Sequence, residues 1–131
     1  MSKIIWEKFF TLAEELSKTN EEEYLRSAIS RYYYSLFNLC RFYLVNVMNE
    51  YEFDSKNNIH TKIIKRMINS NDYNEFEIGK NLKYLRNRRN NADYDLKFKC
   101  TNENISNISD ITNNSIDIIN SLILNPPFKL K

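Results

Sequence analysis

The stretch AISRYYYSLFNLCRFYLVNVM, residues 28–48, decides the fold. It contains neither Gly nor Pro, and it is too dense in Tyr, Phe and Leu to leave any broad face in water. It is also longer than an ordinary strand, which runs to about ten residues at most. A helix buried on most sides accommodates it, and its polar residues fix how that helix is oriented. At about 100° per residue, Ser27, Arg31, Ser35 and Asn38 fall in one narrow stripe along an otherwise aromatic surface.

Working outward, the same periodicity predicts a helix over residues 21–49, with Asn20 as its N-cap and Glu23 completing a capping box. A first helix is expected over residues 3–17, with Ile5, Phe9, Leu12, Ala13 and Leu16 as its apolar stripe. Residues 51–58 read as a loop. A short helix over 59–69 presents Ile59, Ile63, Ile64, Met67 and Ile68 on its inner side. Asn71 or Asp72 caps a fourth helix that carries Ile78, Leu82 and Leu85 and runs to about residue 92. Residues 93–106 read as an irregular connector. A last helix over 108–124, with Ile108, Ile111, Ser115, Ile118, Ile119 and Leu122 inward, is stopped by Pro126 and Pro127.

The composition agrees. The chain has 131 residues, one glycine and two prolines, whereas β-sandwiches and barrels need many tight turns. The expectation is a single all-α domain over residues 1–131, an up-and-down bundle of four to five antiparallel helices. Its formal charge of +2 does not by itself point to nucleic acid, so a binding site must rest on local clusters. Two distant cysteines and one histidine give no metal-ligand spacing, and neither a metal nor a cofactor is expected. The N-terminus meets Glu7 and Lys8 too early for a signal peptide, and no apolar run reaches the ~20 residues of a membrane span. A cytoplasmic protein without membrane association is expected.

Two polar stripes interrupt the expected core. Arg31 is one: a guanidinium in an aromatic helix needs a partner, either an acid on a neighbouring helix in a purely structural role or an anionic ligand. The second is LRNRRNNADYD, residues 85–95. Arg89 continues the face of Ile78, Leu82 and Leu85, and Asp93 follows one turn later. Arg86 lies beside them, and Arg88 is expected in solvent. If the stripes face each other, they form a cleft holding Arg31, Ser35, Asn38, Arg86, Arg89, Asp93 and Tyr94. Arginine forks suit phosphate oxygens and aromatic rings suit bases, which makes RNA or a nucleotide the expected ligand. The plainer alternatives are a basic helix end facing the dipole and an Arg89–Asp93 ion pair. Lys62, Lys65 and Arg66 add a basic patch, read first as a solvated face.

The run SRYYYSLF, residues 30–37, resembles the SRxYYAxF signature of the HEPN family. His60-Thr61-Lys62 stands where that family often has a "tH" segment, and residues 85–95 resemble its LRxxRNxADYD ending. The resemblance spans about residues 5–124. It implies a helical bundle that dimerises through the motif helices, and in many members a metal-independent endoribonuclease acting in toxin–antitoxin or antiviral defence systems. In those members an arginine is followed four to six residues later by a histidine, in a composite site at the dimer interface. By this resemblance Arg89 and Asn90 match the Arg-Asn pair and are assigned to catalysis. Arg31, Ser35, Asn38, Arg86 and Asp93 bind substrate.

This chain departs from the pattern at one position: Tyr94 stands where the histidine would fall. A free tyrosine titrates near 10, so Tyr94 is a slow substitute for a group that exchanges protons near neutrality. The resemblance also implies a second role, in which a motif tyrosine accepts AMP from a minimal nucleotidyltransferase antitoxin. A non-catalytic binding or partner protein is therefore the alternative function. His60 is a further candidate proton carrier, though a lone histidine at a helix start reads first as a capping or surface residue.

Overall fold

The computed structural model describes residues 3–127. They form five α-helices, and the described residues contain no strand: α1 (Lys3–Ser17), α2 (Glu22–Phe42), α3 (Ile59–Ile68), α4 (Tyr73–Tyr94) and α5 (Asn102–Leu124). The all-α bundle expected from periodicity is the observed architecture. Helix α2 lies at its centre, against α1, α4 and α5, and α3 forms a hairpin with α4. The pairs α1–α2, α2–α4, α3–α4 and α4–α5 are antiparallel. Lys3 on α1 meets Asn120 on α5, and Glu14 meets Ser109, so the first and last helices also run in opposite directions.

The aromatic stretch is buried as its composition requires. Ala28, Ile29, Tyr32, Tyr33, Leu36, Leu39, Cys40, Tyr43 and Leu44 are fully inaccessible. Helix α2 continues past Phe42 into a single π-helical turn, Tyr43–Val47, in which the Met48 amide bonds the Tyr43 carbonyl. Asn49, at φ 58°, then ends it in the left-handed conformation usually given to glycine. Asn58, at φ 52°, does the same before α3. In a chain with one glycine, asparagine takes over this role, since its short polar side chain tolerates the region.

Several expected boundaries shift. Glu21, not Asn20, precedes α2, and no side-chain cap bond forms there. The expected loop after α2 contains a 3₁₀ turn, Tyr51–Asp54, tied back by Arg41 to the Phe53 and Asp54 carbonyls at 2.9 and 2.8 Å. Helix α5 begins at Asn102 rather than 108, because Thr101 accepts a hydrogen bond from the Asn104 amide and caps it. Asp72 caps α4 in the same way through the Glu75 amide. On α1 the inner stripe is rotated. Ala13, Trp6, Phe10 and Leu16 pack inward, with Phe10 edge-on to Tyr32, while Ile5 and Leu12 are exposed.

Two polar assemblies lock the α2–α4 pair, and periodicity pointed to neither. At one end Arg26 donates to the Ala92 carbonyl at 2.7 Å, to Asp95 O at 3.1 Å, and to Phe98 O, while also pairing with Glu22. It thus satisfies backbone acceptors that the end of α4 leaves open. At the other end Glu75 is 2% exposed. Its carboxylate accepts from Arg66 at 2.9 Å, from Ser70 at 2.6 Å and from the Tyr43 hydroxyl, while Arg66 also grips Glu50 at 2.6 and 2.8 Å. Burial alone would raise the Glu75 carboxyl, but the bonds from Arg66, Ser70 and Tyr43 outweigh it and hold it below the ordinary carboxylate range. Arg66 is therefore an internal structural residue rather than part of a solvated basic patch.

Removing one member of such a buried network strands the others. Glu75→Ala should lower the unfolding free energy by about 3 kcal/mol, read as a lower urea midpoint at unchanged m-value. A loss below about 1 kcal/mol would mean that the remaining groups re-pair or hydrate without cost.

Candidate functional site

The site lies where the middle of α2, the start of α3 and the last turns of α4 converge. Helix α2 contributes Tyr33, Tyr34 and Phe37, which lie one turn or less apart on the side turned toward α3. Helix α3 contributes His60, its second residue, and α4 contributes Arg86, Arg89, Asp93 and Tyr94.

His60 is neither a cap nor a surface group. Its ring stacks on Phe37 with centroids 4.0 Å apart and planes within 12°, and its Nδ1 lies 2.6 Å from the Tyr33 hydroxyl. Tyr33 is fully buried, and burial raises its phenol above the usual range, so the hydroxyl keeps its proton and can donate it to Nδ1. The ring's own proton then sits on Nε2. Nε2 has no hydrogen-bond partner among the described residues, and the residue as a whole is half-buried. Burial, followed by the charges of Arg86, Arg89 and Arg41, pulls the imidazole from 6.5 down to about 4. At neutral pH the site thus offers an uncharged N–H donor beside two arginines.

Arg89 is held from three sides. Its Nε donates to Asp93 Oδ2 at 3.0 Å, and its guanidinium lies 5.2 Å from the Tyr34 ring centre and 5.9 Å from that of Tyr94. Nη1 reaches the side chain of Asn90 at 3.4 Å. Arg86 donates to Thr61 Oγ1 at 3.3 Å, and its Nε is enclosed without a hydrogen-bond partner. Asp93 and Tyr94 occupy the exposed end of α4, Tyr94 being 74% accessible. Leu96, 97% accessible, follows immediately.

The expected cleft is assembled only in part. Arg86, Arg89, Asn90, Asp93 and Tyr94 come together as the fourth-helix pattern implied. Of the α2 stripe, Ser35 is fully buried and bonds the Tyr32 carbonyl one turn back at 2.8 Å, and Asn38 bonds the Tyr34 carbonyl at 2.9 Å. Both serve their own helix. Arg31 donates to Ser27 at 2.6 Å and makes no hydrogen bond or ion pair to α4 among the described residues. The α2 side of the cleft is instead Tyr34, one turn along the same stripe. Arg88, expected in solvent, lies over the Tyr84 ring with its Nε enclosed. His60 was legible only as an isolated residue, since its stacking and its arginine neighbours come from three separate helices. Among the described residues no three His, Cys, Asp or Glu side chains cluster as a metal site would require, and no helix is long and apolar enough to cross a membrane.

His60 is the only histidine, so its ring can be followed without assignment. By ¹H NMR its Cε1 proton should titrate near 4 instead of near 6.5. Because the unfolded chain takes up this proton first as pH falls, the stability tied to neutral His60 is complete above about 6.5 and is lost toward 4. The melting temperature should fall through that window, and His60→Gln should remove this part of the fall. A titration near 6.5 would mean that the ring is not enclosed as described.

Comparison with protein-family models, with curated proteins and with solved structures returns no match.

Proposed function

We propose that this protein is an RNA-directed effector of the HEPN type, a slow metal-independent endoribonuclease whose site is built on α4. The observation that carries the reading is the clustering of Arg86, Arg89 and His60: Arg86 bonds Thr61, next to His60, at 3.3 Å, and the Tyr34 ring lies 5.2 Å from the Arg89 guanidinium and 5.9 Å from the His60 ring. These groups are flanked by the Tyr34 and Tyr94 rings, on which a base can stack.

In the proposed reaction the ribose 2′-oxygen bonds the adjacent phosphorus as the bond to the 5′-oxygen breaks, leaving a 2′,3′-cyclic phosphate and a 5′-hydroxyl. Arg86, Arg89 and His60 donate to the non-bridging oxygens, where charge accumulates. Tyr94 positions the 2′-hydroxyl by hydrogen bonding. The proton lost from that hydroxyl passes to the Asp93 carboxylate, and the 5′-oxygen takes one from water. His60 held neutral is a hydrogen-bond donor here and not a base, so this site lacks a group that exchanges protons near pH 7, and turnover is slow. Arg31, tied to Ser27, takes no part in this step.

The accessible Tyr94 favours a second reading: a binding or partner protein whose Tyr94 hydroxyl is the acceptor for AMP from a nucleotidyltransferase antitoxin. The exposed pair Tyr94 and Leu96 beside the site supports the expectation that a second copy of the chain packs there, making the cytoplasmic form a homodimer.

Incubating the purified protein with total RNA in EDTA, beside Arg89→Ala, tests the reading. Cleavage should survive chelation and fall at least about 100-fold in the variant, the scale of losing one charge-stabilising donor. Intact RNA with the wild-type protein would remove the nuclease and leave the partner reading. Light scattering should give twice the 15.8 kDa chain mass, and Leu96→Asp should shift it toward the monomer. A wild-type monomer at high concentration would remove the composite site.

A further inference from the structure

The bulk charge of +2 conceals a strong asymmetry. Residues 59–92, which span α3 and most of α4, hold eight Lys or Arg against three Asp or Glu, so the remainder of the chain is net acidic. Three of the eight are neutralised locally, Arg66 by Glu50 and Glu75, Lys80 by Glu77 and Arg89 by Asp93. The others concentrate along the α3–α4 hairpin, where a groove of about 340 Å³ runs between the two helices.

The groove has a hydrophobic floor and a basic rim. Ile64 and Ile68 form the floor, and Lys65, Lys83 and Arg86 stand around it, with Asn69 and Asn87 at its edge. No carboxylate lines it. Its volume lies in the range of small-ligand sites, enough for one nucleotide. The hairpin is close enough to form it because α4 presents Gly79 to α3: a Cβ there would lie 2.6 Å from the Ile68 backbone nitrogen. Arg86 connects the groove to the site described above, since it lines the groove, bonds Thr61 at 3.3 Å and is one of the charges acting on His60.

We propose that the α3–α4 groove binds the nucleotide next to the scissile phosphate of a single-stranded RNA, with the base on Ile64 and Ile68 and the phosphate between Lys65, Lys83 and Arg86. This rests on the RNA reading above and adds to it a path for the strand. A rim whose charged residues are all basic, over an apolar floor, is complementary to an occupant that is both anionic and flat-faced, and the two asparagines offer donors and acceptors to a base edge. A duplex would present its bases only in stacked pairs, which leaves the floor unfilled.

The test is fluorescence anisotropy with a fluorescein-labelled, 2′-O-methylated single-stranded oligoribonucleotide of about a dozen nucleotides, which cannot be cleaved by 2′-attack. Lys65→Gln with Lys83→Gln should weaken binding by at least about tenfold, while Lys8→Gln on α1 with Lys18→Gln just after it makes the same charge change with little effect. The slope of log K against log salt should fall by about 1.4 in the groove variant, roughly 0.7 for each phosphate that a lysine no longer neutralises. Lys65→Arg with Lys83→Arg should retain binding. All four lysines are exposed, so thermal melts should match the wild type. Equal weakening by the groove and α1 pairs, or no binding by the wild type, would overturn the groove. If the groove pair matters but total RNA stays intact in EDTA, the groove stands and the nuclease falls. If RNA is cut with unchanged KM in the groove variant, the nuclease stands and the groove falls.

Discussion

The antiparallel register of α2 against α4 is the constraint on which the rest depends. Both helices are long, and each could slide by a turn at modest cost if only apolar side chains met. Arg26 prevents this at one end, because its donors are consumed by carbonyls at and beyond the end of α4. At the other end the buried Glu75 has acceptors only for groups that sit opposite it in one register, the Tyr43 hydroxyl among them. Buried polar groups must be matched or they destabilise, so these bonds select an arrangement more sharply than the aromatic packing between them. A one-turn slip would strand both assemblies at once.

That register is also what brings the site together. With Ala92 beside Arg26 and Glu75 beside Tyr43, the α2 residues 29–37 stand opposite the α4 turns that carry residues 81–89. The α3 start is delivered there by the hairpin, whose close approach at Gly79 leaves no room for a side chain. His60 is therefore placed by two long-range devices, neither of which touches it. The same geometry gives it its electrostatic character: an imidazole stacked on Phe37 and facing two guanidinium groups cannot readily become a third cation.

Much of the bundle was legible because burial imposes period. The inner faces of α3 and α4 and most of α5 were read residue by residue, whereas α2 was read only as a helix buried on most sides. The boundaries that moved were those set by single hydrogen bonds, such as Thr101 to the Asn104 amide, which a pattern of apolar residues does not report. The α1 stripe turned because Phe10 packs on Tyr32, a tertiary choice between two adjacent apolar residues. On the site, the contiguous pattern from Arg86 to Tyr94 could be read along one helix. The α2 contribution was misplaced by one step: Ser35 and Asn38 share the stripe with Arg31, yet their side chains return to their own backbone, as short polar residues in helices often do. Arg26, Arg66 and Glu75 carried no signal at all, since an isolated charged residue is on the surface far more often than not.

Tyr94 ends α4 at the rim of the site, with its ring beside the Arg89 guanidinium. Its exposure leaves the hydroxyl free for a ligand or a modifying enzyme, and its ring still covers Arg89. The strongest anion-attracting elements, Arg86, Arg89 and the His60 N–H, belong to the interior side of the site, and Tyr94 to its rim. Binding an anion is thus the property this arrangement favours most directly.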